Sequence, residues 1–244
     1  MSRHISHRIS DWLYNTSFFT RFYERIAGRF AIDLIQENFH QTFLTLIPHG
    51  GTLLEIGAGP GLLALKILKS RPDIRIIATD YSPRMLELAR GNLANASRKN
   101  SSVAALRSRI EYMRANAMDL SQFNARPIQG IYSMGAAKHF PDPVTCLHQM
   151  YNVLQARGRL YIMDSCMSGS YAGTGKIMTK LNISPIAAFF LQPLLHVGLN
   201  SESPSASEIQ SWRYAFSNED DVKIEFLLGG SIFKLTYHKP QRPG

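Results

Sequence analysis

The chain has 244 residues, of which 45% are hydrophobic, 18% charged and 10% aromatic. Apolar content on that scale excludes intrinsic disorder, and a chain of this length buries roughly 70% of its unfolded surface, so it needs no disulfide or metal staple. The formal charge of +9, from 27 Lys plus Arg against 18 Asp plus Glu, favours encounters with anionic partners but does not choose among RNA, phosphorylated metabolites and acidic membranes.

Residues 1–50 read as helical, with Phe18, Phe19, Phe22, Tyr23 and Ile26, then Phe30, Ile32, Leu34, Ile35 and Phe39, at helical spacing. They are expected to form a cover over the ligand edge of the domain made by residues 51–244. Thr52 to Ile56 is the first expected strand; Gly57 to Gly61 is a glycine turn, and the apolar helix from Leu62 stops at Arg71-Pro72. Ile74 to Thr79 is the second strand, and Ser82-Pro83 opens the next helix, since Ser caps free amides and Pro suits the first helical position. Arg109 to Arg114 is the third strand, Ile128 to Met134 the fourth, Pro141 to Leu154 a helix, and Arg159 to Asp164 the fifth strand after an Arg157-Gly158 turn. Apolar runs alternating with helices indicate a doubly wound parallel sheet. Val222 to Leu228, Gly229-Gly230 and Ser231 to Tyr237 read as an antiparallel hairpin on a two-glycine turn, which adds one reversed strand.

The segment with the strongest chemical signal is Leu53-Leu54-Glu55-Ile56-Gly57-Ala58-Gly59-Pro60-Gly61. Glycines allow the sharp strand-to-helix turn and let a ligand lie against the main chain, beyond the carboxyl ends of the strands. A dinucleotide fingerprint would put its third glycine at position 62, which is Leu62, so the spacing favours another nucleotide-like ligand over NAD. Asp80 ends the second strand, 21 residues past Gly59. Its carboxylate is an acceptor suited to two ribose hydroxyls, with a helix N-cap as the competing role.

These residues resemble those of class I S-adenosylmethionine (SAM) dependent methyltransferases, close to the ubiquinone/menaquinone and small-molecule branch. The likeness covers about residues 20 to 165 by motif and the terminal hairpin by topology. It implies an α/β, Rossmann-like, seven-stranded sheet with SAM as cofactor and S-adenosylhomocysteine as product. It also implies that Glu55, Gly57, Ala58, Gly59 and Gly61 hold the methionine part, Asp80 the ribose, and Tyr81 and Met85 pack on adenine. Where the family has Asp-Ala after strand three, this chain has Asn116-Ala117, with Asp119 as the alternative adenine reader. An acidic residue common near strand four is replaced by Gly130. The loop Met134-Gly135-Ala136-Ala137-Lys138-His139 would bring Met134 and Gly135 to the methionine end and His139 to the acceptor as a base, and Tyr23 resembles a residue of the family's N-terminal helix. Tyr14 and Tyr171 are further acceptor-pocket candidates.

From Leu181 to Ser201 no residue carries a formal charge, and Pro185, Gln192 and Pro193 interrupt the apolar run, so it reads as a lid insertion at about 168–205 and not as a bilayer span. A greasy lid implies a small lipophilic acceptor, quinone-like, polyketide or terpenoid, methylated on oxygen or carbon, and allows a peripheral membrane contact. Nucleic acid is disfavoured: the seven basic residues from Arg84 to Arg114 have a single aromatic ring among them, Tyr112, and no row of stacking rings. RNA or protein methylation and SAM binding without transfer are the competing functions. Cys146 and Cys166 form no metal pair, and two free thiols with no apolar run after Met1-Ser2-Arg3-His4 point to the cytoplasm.

Overall fold

A computed structural model describes residues 38–99, 105–180, 183–200 and 203–241. Five parallel strands, β1 (Thr52–Ile56), β2 (Arg75–Asp80), β3 (Ile110–Arg114), β4 (Ile128–Met134) and β5 (Leu154–Ser165), are followed by the hairpin of β6 (Val222–Leu227) and β7 (Ile232–His238). They form one seven-stranded sheet in the order β3-β2-β1-β4-β5-β7-β6, with β7 antiparallel to β5. The helices are α1 (Leu62–Ser70), α2 (Pro83–Lys99), α3 (Pro143–Val153), α4 (Tyr171–Lys180), α5 (Pro185–Asn200) and α6 (Ala206–Ser211).

Alternation along each strand divides the core between the two faces. Leu54, Ile131 and Ile162 pack on one face with Cys146, Leu147 and Met150 of α3 and with Trp212. Leu53, Tyr132 and Tyr161 pack on the other with α1, Ile177 of α4 and the segment from Phe39 to Ile47. That segment is the described part of the expected N-terminal cover; residues 1–37, with Tyr14 and Tyr23, lie outside the described residues. Arg71 anchors it by donating to the Leu44 and Ile47 carbonyls at 2.5 and 3.2 Å, while pairing with Asp73 at 2.7 Å. Gly130 lies inside β4, where a Cβ would meet Ile47 and Leu53 at 2.6 Å and Phe43 at 2.9 Å. A larger residue, acidic or not, would require the tips of those side chains to shift.

Three expectations need correction. Arg157-Gly158 is not a turn ahead of the fifth strand but a bulge within β5: Arg157 has φ +62°, its amide donates to the Lys239 carbonyl, and Lys239 donates back to Gly158. The β6–β7 connection is not a two-residue turn. Leu227 still pairs with Ile232, and Leu228, Gly229 and Gly230 all have positive φ, so four residues make the loop. Finally, α5 continues through Pro193 as one helix, with the proline exposed. The proline removes one internal hydrogen bond, a loss easiest to bear on the solvent side.

The insertion between β5 and α6 is closed at its neck. The Ser165 and Ser203 hydroxyls lie 2.6 Å apart, the Met167 amide donates to the Pro204 carbonyl at 3.1 Å, and the Ala206 amide donates to Ser168 Oγ at 3.0 Å.

Candidate cofactor and active site

The carboxyl ends of β1, β2 and β4 converge on the glycine turn. Gly57 and Ala58 donate to the same acceptor, the Thr79 carbonyl, at 2.9 and 2.8 Å, so the turn bends back over β2. Gly57 (φ +75°) and Gly59 (φ +52°) are both in the left-handed region, but for different surroundings. A Cβ at Gly57 would overlap the Ala136 methyl, whereas one at Gly59 would meet nothing within 4 Å. Gly57 therefore lets the β4 loop close on the turn, and Gly59 leaves main chain facing open space.

Asp80 ties this turn to the next. Its Oδ2 accepts from the Gly59 amide at 2.9 Å and its Oδ1 from the Ser82 amide at 2.8 Å. The helix-cap role falls to Ser82, whose hydroxyl accepts from the Met85 amide at 3.4 Å. A carboxylate has about four acceptor sites, so two remain for other donors. Tyr81 beside it is 65% exposed, with its ring 5.2 Å from the Arg114 guanidinium, and Met85 is half-buried.

After β3, Asn116 and Asp119 form an isolated bridge. Asn116 Oδ1 accepts from the Met118 amide at 3.0 Å, and Asp119 Oδ1 from the Ser121 amide at 3.0 Å. Ser121 holds the Asp119 carboxyl below its usual range. Both candidate adenine readers thus serve local turns, and Ala117 is half-buried between them.

The β4 loop is fixed from β5. Gly135 donates to the Met163 carbonyl at 3.0 Å, so its carbonyl is what it can offer a ligand. Lys138 donates its amide to Asp164 Oδ2 at 2.9 Å, and His139 donates to Ala136 at 3.0 Å. His139 is exposed at the end of this short turn, and Asp142 then caps α3 by accepting from Val144 at 3.2 Å. Asp164, 6% exposed, also accepts from the Ser165 amide at 2.7 Å. Sequence reasoning missed it, because the Lys138 amide that it holds lies 26 residues earlier in the chain.

A polar row beneath the turn was read only at Glu55, without its tyrosines. Glu55 is in register with Ala78 and Tyr132, Ala78 with Tyr112, and Tyr132 with Tyr161. Glu55 Oε2 and the Tyr112 hydroxyl are buried with no hydrogen-bond partner among the described residues. Burial pushes the Glu55 carboxyl up to about 8; the neighbouring Tyr132 phenol draws it down, and Asp80 raises it. At the far end of the row, the Tyr161 hydroxyl and the Lys234 ammonium reach Asn38 Oδ1 at 3.4 and 3.3 Å, and Lys234 pairs with Glu225 at 2.5 Å. The available signal was the alternation itself, Glu and Tyr at positions where the strands are otherwise aliphatic.

The sign of the Glu55 effect follows from linkage. A carboxyl with a raised folded-state pKa binds its proton more tightly in the folded protein, so stability falls as pH rises from about 4.5 to about 8, with a slope of at most about 1.4 kcal/mol per pH unit. Glu55→Gln should remove that slope: its Tm relative to wild type should rise steadily between those pH values in scanning calorimetry. A constant difference would mean that Glu55 ionises normally.

The residues fit a nucleotide-like cofactor: an open main-chain turn at Gly59, a carboxylate with spare acceptor capacity at Asp80, and exposed apolar surface at Tyr81. Comparison with known proteins agrees. Residues 54–162 match the methyltransferase domain family. Demethylmenaquinone methyltransferase of Lactococcus lactis is 26% identical over 117 residues, which is 48% of this chain and 42% of that protein. Trans-aconitate 2-methyltransferase of Methylobacterium radiotolerans is 25% identical over 174 residues, 67% of this chain and 60% of that protein. The chain spans less than two thirds of the length of these curated relatives. Among solved structures, the plantazolicin methyltransferase BpumL, in complex with a triazolic desmethylPZN analog and SAH, has a TM-score of 0.66 at 13% identity, covering 98% of this chain and 97% of that one.

The fold is the one shared with solved SAM-dependent methyltransferases. Residues 54–162 are similar to a methyltransferase domain, a kind of domain that uses SAM as cofactor, and the demethylmenaquinone enzyme of L. lactis is among the proteins similar to this chain. The matched stretch is shorter at its start than the expected span from residue 20.

Proposed function

We propose that the protein transfers the methyl group of SAM to an oxygen or carbon of a small lipophilic acceptor. The observation that carries this reading is the junction of Asp80 with the open Gly59 turn, a carboxylate and bare main chain side by side at the strand ends. Menaquinone and plantazolicin chemistry in the names of similar proteins supports a small-molecule acceptor. In this reading Glu55, Gly57, Ala58, Gly59, Gly61, Met134 and Gly135 surround the methionine part, Asp80 takes the ribose, and Tyr81, Met85, Asn116, Ala117 and Asp119 surround the adenine.

When bound, SAM supplies an electrophilic methyl on a sulfonium sulfur. The protein's share is then to align the acceptor and exclude water. Asp164 holds the Lys138 amide and so sets the position of the turn that ends in His139. In this reading His139 would take the acceptor's proton, with Tyr23 as a second candidate. The insertion at about 168–205, containing α4 and α5, closes the acceptor side. Calorimetric titration tests the cofactor half: SAM and S-adenosylhomocysteine should bind with micromolar Kd and NAD should not. Transfer of radiolabelled methyl from SAM to phenolic or quinone-like acceptors tests the other half. Absence of SAM binding would overturn the proposal, and binding without transfer to any such acceptor would leave a SAM-binding protein of another kind.

A further inference from the structure

We propose that the α4–α5 insertion docks the protein on the surface of an anionic lipid bilayer. From Ser165 to Ser201 the chain contains no acidic residue, and its only formal charges are Lys176 and Lys180, both exposed on α4. Among the described side chains of α5, apolar residues stand outward as well as inward, unlike those of a helix that faces water. Its polar groups turn inward: Gln192 Nε2 donates to the Tyr171 carbonyl at 2.8 Å, and His196 Nδ1 lies 3.0 Å from Thr174 Oγ1. Its outward stripe is Ile186, 78% exposed, Phe189, 75% exposed, and Pro193, one face at the spacing i, i+3, i+7. Tyr171, 50% exposed, and Met167, 45% exposed, belong to the same insertion.

Single exposed apolar side chains are ordinary; a stripe of them on an uncharged helix marks an interaction surface. Charge selects the occupant. An apolar stripe on one helix and two exposed lysines on the helix packed against it, in a stretch from Ser165 to Ser201 whose first acid beyond is Glu202, complement anionic headgroups over a hydrocarbon boundary. A two-fold contact with a second copy would bring like-charged rims together without a carboxylate of the same segment to offset them. The helix lies on the bilayer and does not cross it: sixteen residues span about 24 Å against a hydrocarbon core of about 30 Å, and no helix among the described residues is long and apolar enough to cross a membrane.

The test is co-sedimentation of the full chain with vesicles of equal parts phosphatidylcholine and phosphatidylglycerol, with pure phosphatidylcholine vesicles as comparison. The mixed vesicles should retain the protein, less so at high salt, and pure phosphatidylcholine should retain much less. Ile186→Asp and Phe189→Asp should each weaken partitioning by about tenfold or more, and Lys176→Glu with Lys180→Glu should erase the preference for the anionic lipid. These positions are exposed, so circular dichroism and SAM titration should match wild type and separate lost docking from lost folding. No SAM or acceptor is needed to read partitioning, so its outcome is independent of the methyl-transfer reading. The proposal fails if wild type does not sediment with the mixed vesicles, or if the aspartate variants sediment equally well. It also fails if light scattering shows a dimer that Phe189→Asp dissociates, which would make a second copy the occupant.

Discussion

Gly57→Ala and Gly59→Ala, chemically the same substitution two residues apart, should separate stability from cofactor binding. Both force a side chain into the left-handed region, which costs about 1–2 kcal/mol. At Gly57 the new methyl also overlaps that of Ala136, and overpacking of this kind adds about 1–3 kcal/mol. With a Tm shift of about 2–4 °C per kcal/mol for a chain of this size, Gly57→Ala should melt on the order of 10 °C lower and Gly59→Ala roughly 5 °C lower or less. In calorimetric titration the order should reverse in meaning. Gly59→Ala should lose about tenfold or more in SAM affinity while still folded, because its methyl projects where the turn is open; Gly57→Ala should lose affinity only as far as the turn and the β4 loop come apart. Equal falls in Tm would show that Ala136 moves aside easily and that the loop contact does not demand a glycine.

Asp80→Ala should reduce SAM affinity by about a hundredfold or more, since each hydrogen bond to a charged acceptor contributes about 1.5–3 kcal/mol and a ribose offers two hydroxyls. The same change also deprives the Gly59 and Ser82 amides of their acceptor, so a fall in affinity alone does not identify the ribose contact. A cycle with 2′,3′-dideoxy S-adenosylhomocysteine does. If the carboxylate binds the hydroxyls, removing either partner removes the same contact, and the two losses overlap in the double combination. If Asp80 acts only by shaping the turn, the losses add. Asp80→Asn keeps one acceptor oxygen and should fall between the two.

The parts of the molecule legible in the sequence are those set by local rules. β1 and β4 have their expected bounds because each is mostly apolar and is closed by a turn glycine with positive φ, Gly57 and Gly135. Ser82-Pro83 opened a helix as read, since capping depends only on neighbours. What depends on distant partners was not legible. The Arg157 bulge is made with Lys239, the four-residue hairpin loop is held against Gly173 of α4, and α5 tolerates Pro193 because that face is outside. In the site, the glycine turn and Asp80 stood out by spacing. The tyrosines around Glu55 did not, because that row exists only once five strands are in register, and Asp164 holds the Lys138 amide, 26 residues earlier.

The pinched neck at Ser165 and Ser203 bears on how much the stretch between them can vary. Its two ends are joined by that hydroxyl contact and by the Met167–Pro204 and Ala206–Ser168 hydrogen bonds, so they stay together whatever lies between them. A longer, shorter or different segment mounted there would leave β5, α6 and the hairpin in place. In the proposed function, that would let the acceptor side change while the cofactor side stays as it is.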